Sequence, residues 1–276
     1  MLSLVRWYNV LLISIGLYFS AVFLLNYETD WLSTLFDYKL HLSILSLDCI
    51  IMAGYIINAF YDFEKDLVNN PKGTIFSRIV SKTFCIRTYF LFNLLGTLLA
   101  IFVGWKVLLF NIGLCFALWL YSHKFRKIVM AGELGASILT VAPFVSLSLY
   151  YWHTNLKIAL YIGFIFALTV TRELIKKLVG IKGDSVYGDK SLPIVWGVRK
   201  TKIIVCLTMI LSLFPIGVLF AEIKDRPVFY YLIFSSTMIL FALVFMIFAR
   251  DKKGYIVINT IYKVILTLSV LAITLA

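Results

Sequence analysis

Polar residues are scarce along most of this chain and gather in a few places. Between them lie nine apolar runs, near 9–26, 40–61, 84–103, 107–122, 131–151, 157–173, 203–221, 227–249 and 255–275. Each is close to the ~20 residues that a helix needs to cross a hydrocarbon layer. None alternates with period two, which argues against the strands of a membrane barrel and for helices, whose backbone groups are satisfied within one segment. The pattern predicts an all-α, polytopic membrane protein with about nine transmembrane helices in one bundle, read as a single domain over 1–276. Two pairs of runs, 84–103/107–122 and 131–151/157–173, leave room only for tight turns. Arg6 precedes the first run, but no small-x-small cleavage site follows it, so the run reads as a permanent helix and not a signal peptide.

Composition supports this reading. Of 276 residues, 62% are hydrophobic and 14% charged, whereas soluble domains are roughly 45–50% apolar. The net charge of +12 could suggest nucleic acid, but its distribution does not. With the N-terminus in the cytoplasm, twenty of the 26 Lys and Arg residues fall on the cytoplasmic side. Five (Lys39, Lys106, Lys157, Lys224 and Arg226) fall on the other side, and Lys263 lies within the last run. This bias fixes the orientation by the positive-inside rule. The basic excess reports topology and leaves room for an anionic ligand; nucleic acid is not an expected partner. The expected location is a bacterial or archaeal cell membrane, with N-terminus and active site facing the cytoplasm. Four cysteines, Cys49, Cys85, Cys115 and Cys206, lie in or beside apolar runs at spacings that suggest neither zinc nor disulfides. They read as buried small hydrophobes.

Two hydrophilic stretches, 58–83 and 172–202, fall on the cytoplasmic side and read as long loops. Loops of that length in a compact fold are usually functional or disordered. The first opens on the end of the second apolar run, with Asn58, Asp62 and Asp66 each four apart. On a helix that spacing makes one stripe that drifts about 40° per step. Two carboxylates and an amide oxygen on one stripe suit Mg²⁺, which takes one or two carboxylates and keeps positions for substrate phosphates. A solvated helix end, with Asp62 paired to Lys65 or Arg78, is the plainer alternative. Asn70, Pro71 and Gly73 then break the helix. Lys72 and Arg78 could reach a phosphate or simply mark the cytoplasmic side.

These residues resemble the first signature of the UbiA superfamily of intramembrane prenyltransferases. That signature is N-x-x-x-D-x-x-x-D followed by an N-x-P loop and a serine-containing turn. Asn58, Asp62, Asp66, Asn70, Pro71 and Ser81 occupy those places. Arg6 and Asn9 look like the family's R-x-x-N. Tyr121 to Arg126 looks like its Y-x-x-x-L-K. The second stretch is similar to the branch that includes archaeal digeranylgeranylglyceryl phosphate synthases, R-E-x-x-K-D-x-x-D-x-x-G-D then K-T-L-P. Arg172, Glu173, Lys176, Gly183, Asp184, Lys190, Leu192 and Pro193 match it. Lys177 and Gly180 stand where that branch has aspartates.

The resemblance implies a bundle with a polar cavity at its cytoplasmic side and an Mg²⁺ ion on each aspartate motif. Asp62, Asp66 and Asp184 would be catalytic, and with Asn58 would hold metal. Arg6, Asn9, Asn58, Lys72, Arg78, Tyr121, Arg126, Arg172, Lys176, Lys177, Asp189 and Lys190 would bind substrate. The expected reaction moves an isoprenyl chain from a prenyl diphosphate to a lipophilic or glycerol-phosphate acceptor within membrane lipid. Such a site must stabilise the departing diphosphate and keep water from an allylic cation. Aromatic residues, 16% of the chain, are mostly packing or lipid-facing, although some could face that cation.

In the second motif Asp184 remains the one matching acid, with Asp189 and Glu173 as candidates to compensate. Lys177 could replace part of the charge of a lost Mg²⁺, or merely extend the basic face. Glu133 stands where the family often has Asn, and could contact an acceptor. His123 reads as an interfacial residue. Asp48 and Lys263 are ionisable groups at membrane depth, where they line a cavity or a polar seam. The alternative function is a non-catalytic relative that binds isoprenoid diphosphates or acts as a scaffold. A transporter is disfavoured because the polar groups gather at one face and not at the midplane.

Overall fold

A computed structural model describes residues 5–26, 31–69, 81–152, 156–186, 188, 190–222 and 227–275, with backbone alone at 64–69 and 222. Lys72, Arg78, Asn70, Pro71 and Asp189 lie outside the described residues. The helices are α1 (Trp7–Phe19), α2 (Trp31–Leu35), α3 (Tyr38–Asn69), α4 (Lys82–Val103), α5 (Trp105–His123) and α6 (Ala131–Tyr151). They continue with α7 (Leu156–Val179), α8 (Ile181–Val186), α9 (Leu192–Val195), α10 (Val198–Glu222), α11 (Val228–Phe248) and α12 (Lys252–Ala272). Among the described residues, nine helical spans are long and apolar enough to cross a membrane, one for each predicted run. A turn of π-helix, Ser20–Leu25, extends α1.

Two expectations need correction. Much of the stretches 58–83 and 172–202 is helix and not loop. α3 runs unbroken to Asn69 because nothing before Pro71 interrupts it. α7 likewise continues past Arg172 to Val179, and α8 and α9 follow at once. Polarity there marks where the helices leave the apolar layer, not where they end. The tight turn between the third and fourth spans is a single residue, Gly104, at φ 155°, a conformation that side-chain-bearing residues rarely adopt.

The chain forms two compact units, Met1–Phe125 with Ala142–Thr154, and Arg126–Val141 with Asn155–Ala276. In the first unit α3 is the centre and packs on α4, α5 and α1. Close approach rests on small residues, as expected between membrane helices. A Cβ on Gly96 would lie 2.9 Å from the Ser46 carbonyl oxygen, and one on Gly54 2.9 Å from Leu118. A buried polar chain ties four helices together. Ser46 donates to the Gly96 carbonyl (2.6 Å), Asn111 Nδ2 to Ser46 (2.8 Å) and Ser146 to Asn111 Oδ1 (3.2 Å). Asp48 is partly buried and accepts from Ser14 at 2.8 Å, which gives this intramembrane carboxyl a polar seam between α1 and α3.

The second unit is built on α7, which packs against α10 and α12. Phe164, Leu168, Ile175 and Leu178 recur at helical spacing on its buried face, with Met209, Ile258, Tyr262 and Ile265 among their core neighbours. Lys263, on α12, is exposed.

Candidate functional site

In the first unit the unbroken helix α3 fixes the backbone of Asn58, Asp62 and Asp66 at successive turns of one stripe, about 6 Å apart along the axis. Asn58 and Asp62 are half-buried. The Asn58 amide oxygen is held by Ser122 Oγ at 2.6 Å, and the same hydroxyl lies 2.8 Å from the Leu118 carbonyl. The next residue, His123, meets the next turn of α3: its Nδ1 is 3.1 Å from the Tyr61 hydroxyl. The His123 ring also lies flat on Trp119, with planes 4° apart. Two adjacent residues at the end of α5 thus grip α3 beside the stripe. His123 is exposed and held by aromatic neighbours, which fits an interfacial role.

Arg6 is brought to the same helix. Its guanidinium sits 5.5 Å above the Tyr55 ring. Tyr55 is seven residues before Asp62 and so within about 20° of it around the axis. The Arg6 backbone is left-handed, at φ 48°, and its carbonyl accepts from the Asn9 N–H at 2.7 Å, starting α1. Asn9 is half-buried. Ser81 acts as a helix cap: its side chain accepts from the Phe84 N–H at 3.1 Å.

A cavity of about 570 Å³ in this unit lies between α3, α4 and α5. Its lining includes Ile57, Phe60, Tyr61, Tyr89, Phe116 and Trp119. It is apolar, and Tyr61 is about 100° around α3 from Asp62, so this groove is distinct from the polar stripe.

Tyr121, half-buried, closes α5. Arg126, also half-buried, opens the second unit in a 3₁₀ turn, Phe125–Lys127. Gly132 packs against that turn: a Cβ there would fall 2.8 Å from the Arg126 carbonyl oxygen. In this unit the last turns of α7 carry Arg172, Glu173, Lys176 and Lys177, and α8 carries Asp184. The chain stays almost helical through the junction. Gly180 N–H donates to the Lys176 carbonyl (2.9 Å), and Asp184 N–H to the Gly180 carbonyl (3.1 Å). Asp184 is buried and Lys190 exposed.

The other acids here are already engaged. Both Glu173 oxygens face Lys176 Nζ, at 2.9 and 2.8 Å. Glu133, 2% exposed at the start of α6, lies with Oε1 4.0 Å from Lys177 Nζ, while its Oε2 has no hydrogen-bond partner. Glu133 is therefore an ion-pair partner of the residue that replaces an acid. Among the described residues, no three His, Cys, Asp or Glu side chains gather as a metal would need. On α3 the described donors, Asn58 and Asp62 one turn apart, are hard oxygens of the kind Mg²⁺ takes, with the Asn58 oxygen already oriented. Tyr55, Tyr61 and Ser122 were invisible as supports, because only the packing of α1 and α5 on α3 reveals them.

The sequence profile of the UbiA prenyltransferase family matches residues 17–258. The chain belongs to the UbiA prenyltransferase family. It is 32% identical to a digeranylgeranylglyceryl phosphate synthase of Pyrococcus abyssi over 171 residues. That match spans 60% of this chain and 61% of the relative, about three-fifths of the relative's length. The fold is similar to a solved digeranylgeranylglyceryl phosphate synthase structure, with TM-score 0.75, 21% identity, and coverage of 99% of this chain and 95% of that one. It is also similar to a UbiA homologue from Archaeoglobus fulgidus bound to GPP and Mg²⁺, with TM-score 0.66, 15% identity and coverage of 99% and 98%. This UbiA family member is an integral, multi-pass membrane protein.

Proposed function

We propose that the whole chain is one intramembrane prenyltransferase domain. It moves an isoprenyl chain from its diphosphate to a glycerol-phosphate or other lipophilic acceptor, with Mg²⁺, at the cytoplasmic face. The single observation that carries this is the continuous helix α3, which sets Asn58, Asp62 and Asp66 at four-residue steps, with Asn58 fixed by Ser122. Family membership, the Pyrococcus abyssi synthase and the Mg²⁺ and GPP bound by the Archaeoglobus fulgidus homologue support the same reading.

In this reaction the acceptor oxygen bonds to C1 of the prenyl group and the C1–O bond to diphosphate breaks. Pyrophosphate leaves with the electron pair, and the acceptor hydroxyl proton passes to an oxygen of the departing pyrophosphate. Asn58, Asp62 and Asp66 would hold Mg²⁺, which when bound neutralises charge on the leaving group. Arg6, seated over Tyr55 beside the stripe, supplies fixed positive charge for phosphate oxygens. The surrounding apolar helices keep the cationic carbon from water.

The test is Mg²⁺-dependent release of pyrophosphate from geranylgeranyl or farnesyl diphosphate, with membrane lipid as acceptor source. Turnover lost in Asp62→Ala supports the proposal. The second reading, an isoprenoid-diphosphate-binding scaffold, is favoured by Glu173 of the second motif, already paired with Lys176, and by Lys177, paired with Glu133 of α6. Tight binding without turnover across a panel of acceptors would establish it.

A further inference from the structure

The cavity between α3, α4 and α5 lies wholly within the first unit, and the stripe beside it does not use it. Its volume, about 570 Å³, falls within the roughly 300–1,000 Å³ of pockets that hold small molecules. All three helices span the membrane, and the rim is open: Phe90 is 64% exposed and Phe116 60%. The medium that meets this groove is therefore lipid hydrocarbon.

The lining decides what kind of molecule fits. Among the described residues, no Asp, Glu, Lys or Arg lines the groove, so a charged group placed there would be desolvated without a partner. A bare hydrocarbon fits poorly too. Tyr89, Asn93 and Cys115 line the groove and are half-buried, and hydrocarbon offers their polar atoms nothing. Asn93 Nδ2 donates to the Tyr89 carbonyl at 3.0 Å. That leaves the amide oxygen to accept, with the Tyr89 hydroxyl beside it able to donate or accept. One ligand hydroxyl can bridge such a pair, donating to the first and accepting from the second.

The groove also has a direction. Helical side chains lean toward their own N-terminus, so Tyr89 and Asn93 lean toward the Lys82 end of α4, where that span begins. Tyr61 and its partner His123, 3.1 Å away, stand at the same end, near the close of the α3 and α5 spans. Ile112 lies at the other end, well inside the α5 span. Polar groups are thus offered near the membrane edge, and a slot walled by Phe60, Phe90, Phe116 and Trp119 leads inward from them.

We propose that this groove is a second ligand site, which takes an uncharged lipid alcohol from the bilayer. The hydroxyl is held between Asn93 Oδ1 and the Tyr89 hydroxyl, and the chain lies along the aromatic walls toward Ile112. The site needs neither the metal stripe nor the second unit, so it goes beyond the prenyltransferase reading and does not depend on it.

The experiment is photolabelling. Full-length protein in lipid nanodiscs is irradiated with a diazirine analogue of geranylgeraniol, and labelled peptides are mapped by mass spectrometry. Label should concentrate on segments 86–93 and 112–119. Competition uses three molecules with the same chain: the unlabelled alcohol, the hydrocarbon that lacks its hydroxyl, and the phosphate monoester. The alcohol should displace the probe, and the hydrocarbon about fivefold less well. Asn93→Leu should keep labelling but abolish that preference. Cys115→Phe, which fills the slot with a bulkier side chain, should abolish labelling, and Asp62→Ala should leave it unchanged. Equal displacement by the hydrocarbon, better displacement by the phosphate, label spread evenly over all exposed helices, or loss of label in Asp62→Ala would each overturn the proposal.

Discussion

Ser122 Oγ lies 2.6 Å from Asn58 Oδ1, so a residue of α5 orients a candidate metal ligand of α3. Removing such a hydrogen bond costs about 1 kcal/mol, or roughly fivefold in an equilibrium constant. Ser122→Ala should therefore raise the Mg²⁺ concentration for half-maximal turnover about fivefold. The hydroxyl of Ser122→Thr should preserve it. A magnesium titration of pyrophosphate release checks this, and an unchanged midpoint in the alanine variant would refute the orienting role.

This relationship also marks how far the sequence could be read. Nine spans and the Asn58/Asp62/Asp66 stripe follow from local rules: run length for the first, four-residue spacing for the second. Ser122 gave no local signal. It acts on α3 from 64 positions away, so only tertiary packing makes it functional. The helical state of 58–69 was half visible, since the stripe argued for helix while polarity argued for loop. Polarity misled because a helix leaving the bilayer can keep its backbone bonds while its side chains turn to water. Glu133 and Lys177 are 44 positions apart, and their ion pair could not be read from either motif alone.

Asn111 joins α5 to α3 and α6 through Ser46 and Ser146. Asn111→Ala strands the Ser146 hydroxyl from that acceptor and opens a small void. Interhelical hydrogen bonds in membrane proteins average about 0.6 kcal/mol, reaching about 1.7. The variant should lower the thermal midpoint of detergent-solubilised protein by a few degrees and leave the Mg²⁺ titration unmoved. A shifted titration would mean that this seam also shapes the site.

Gly132 has the reverse profile. An added Cβ would fall 2.8 Å from the Arg126 carbonyl oxygen, a backbone atom that cannot rotate away. Overpacking of this kind costs about 1–3 kcal/mol. Gly132→Ala should displace the turn that carries Arg126, reducing prenyl diphosphate affinity as well as stability. Restored affinity on lengthening the side chain to Val would contradict this, because steric conflict can only grow.

Orientation is testable without any assay of activity. The positive-inside rule predicts the Asp66 end of α3 and the start of α12 in the cytoplasm, and the α2–α3 turn on the other side. Phe36, in that turn, is 82% exposed, and Lys253, in the first turn of α12, is also exposed. The four native cysteines are buried or half-buried and can be replaced by Ala or Ser to give a silent background. In that background a membrane-impermeant maleimide should label Phe36→Cys on intact cells, and Lys253→Cys only after permeabilisation. By the positive-inside rule, the bias of twenty against five should hold nearly every molecule one way round. Labelling of Lys253→Cys on intact cells would invert the topology and move the Asn58/Asp62/Asp66 stripe to the outer face, away from cytoplasmic prenyl diphosphate.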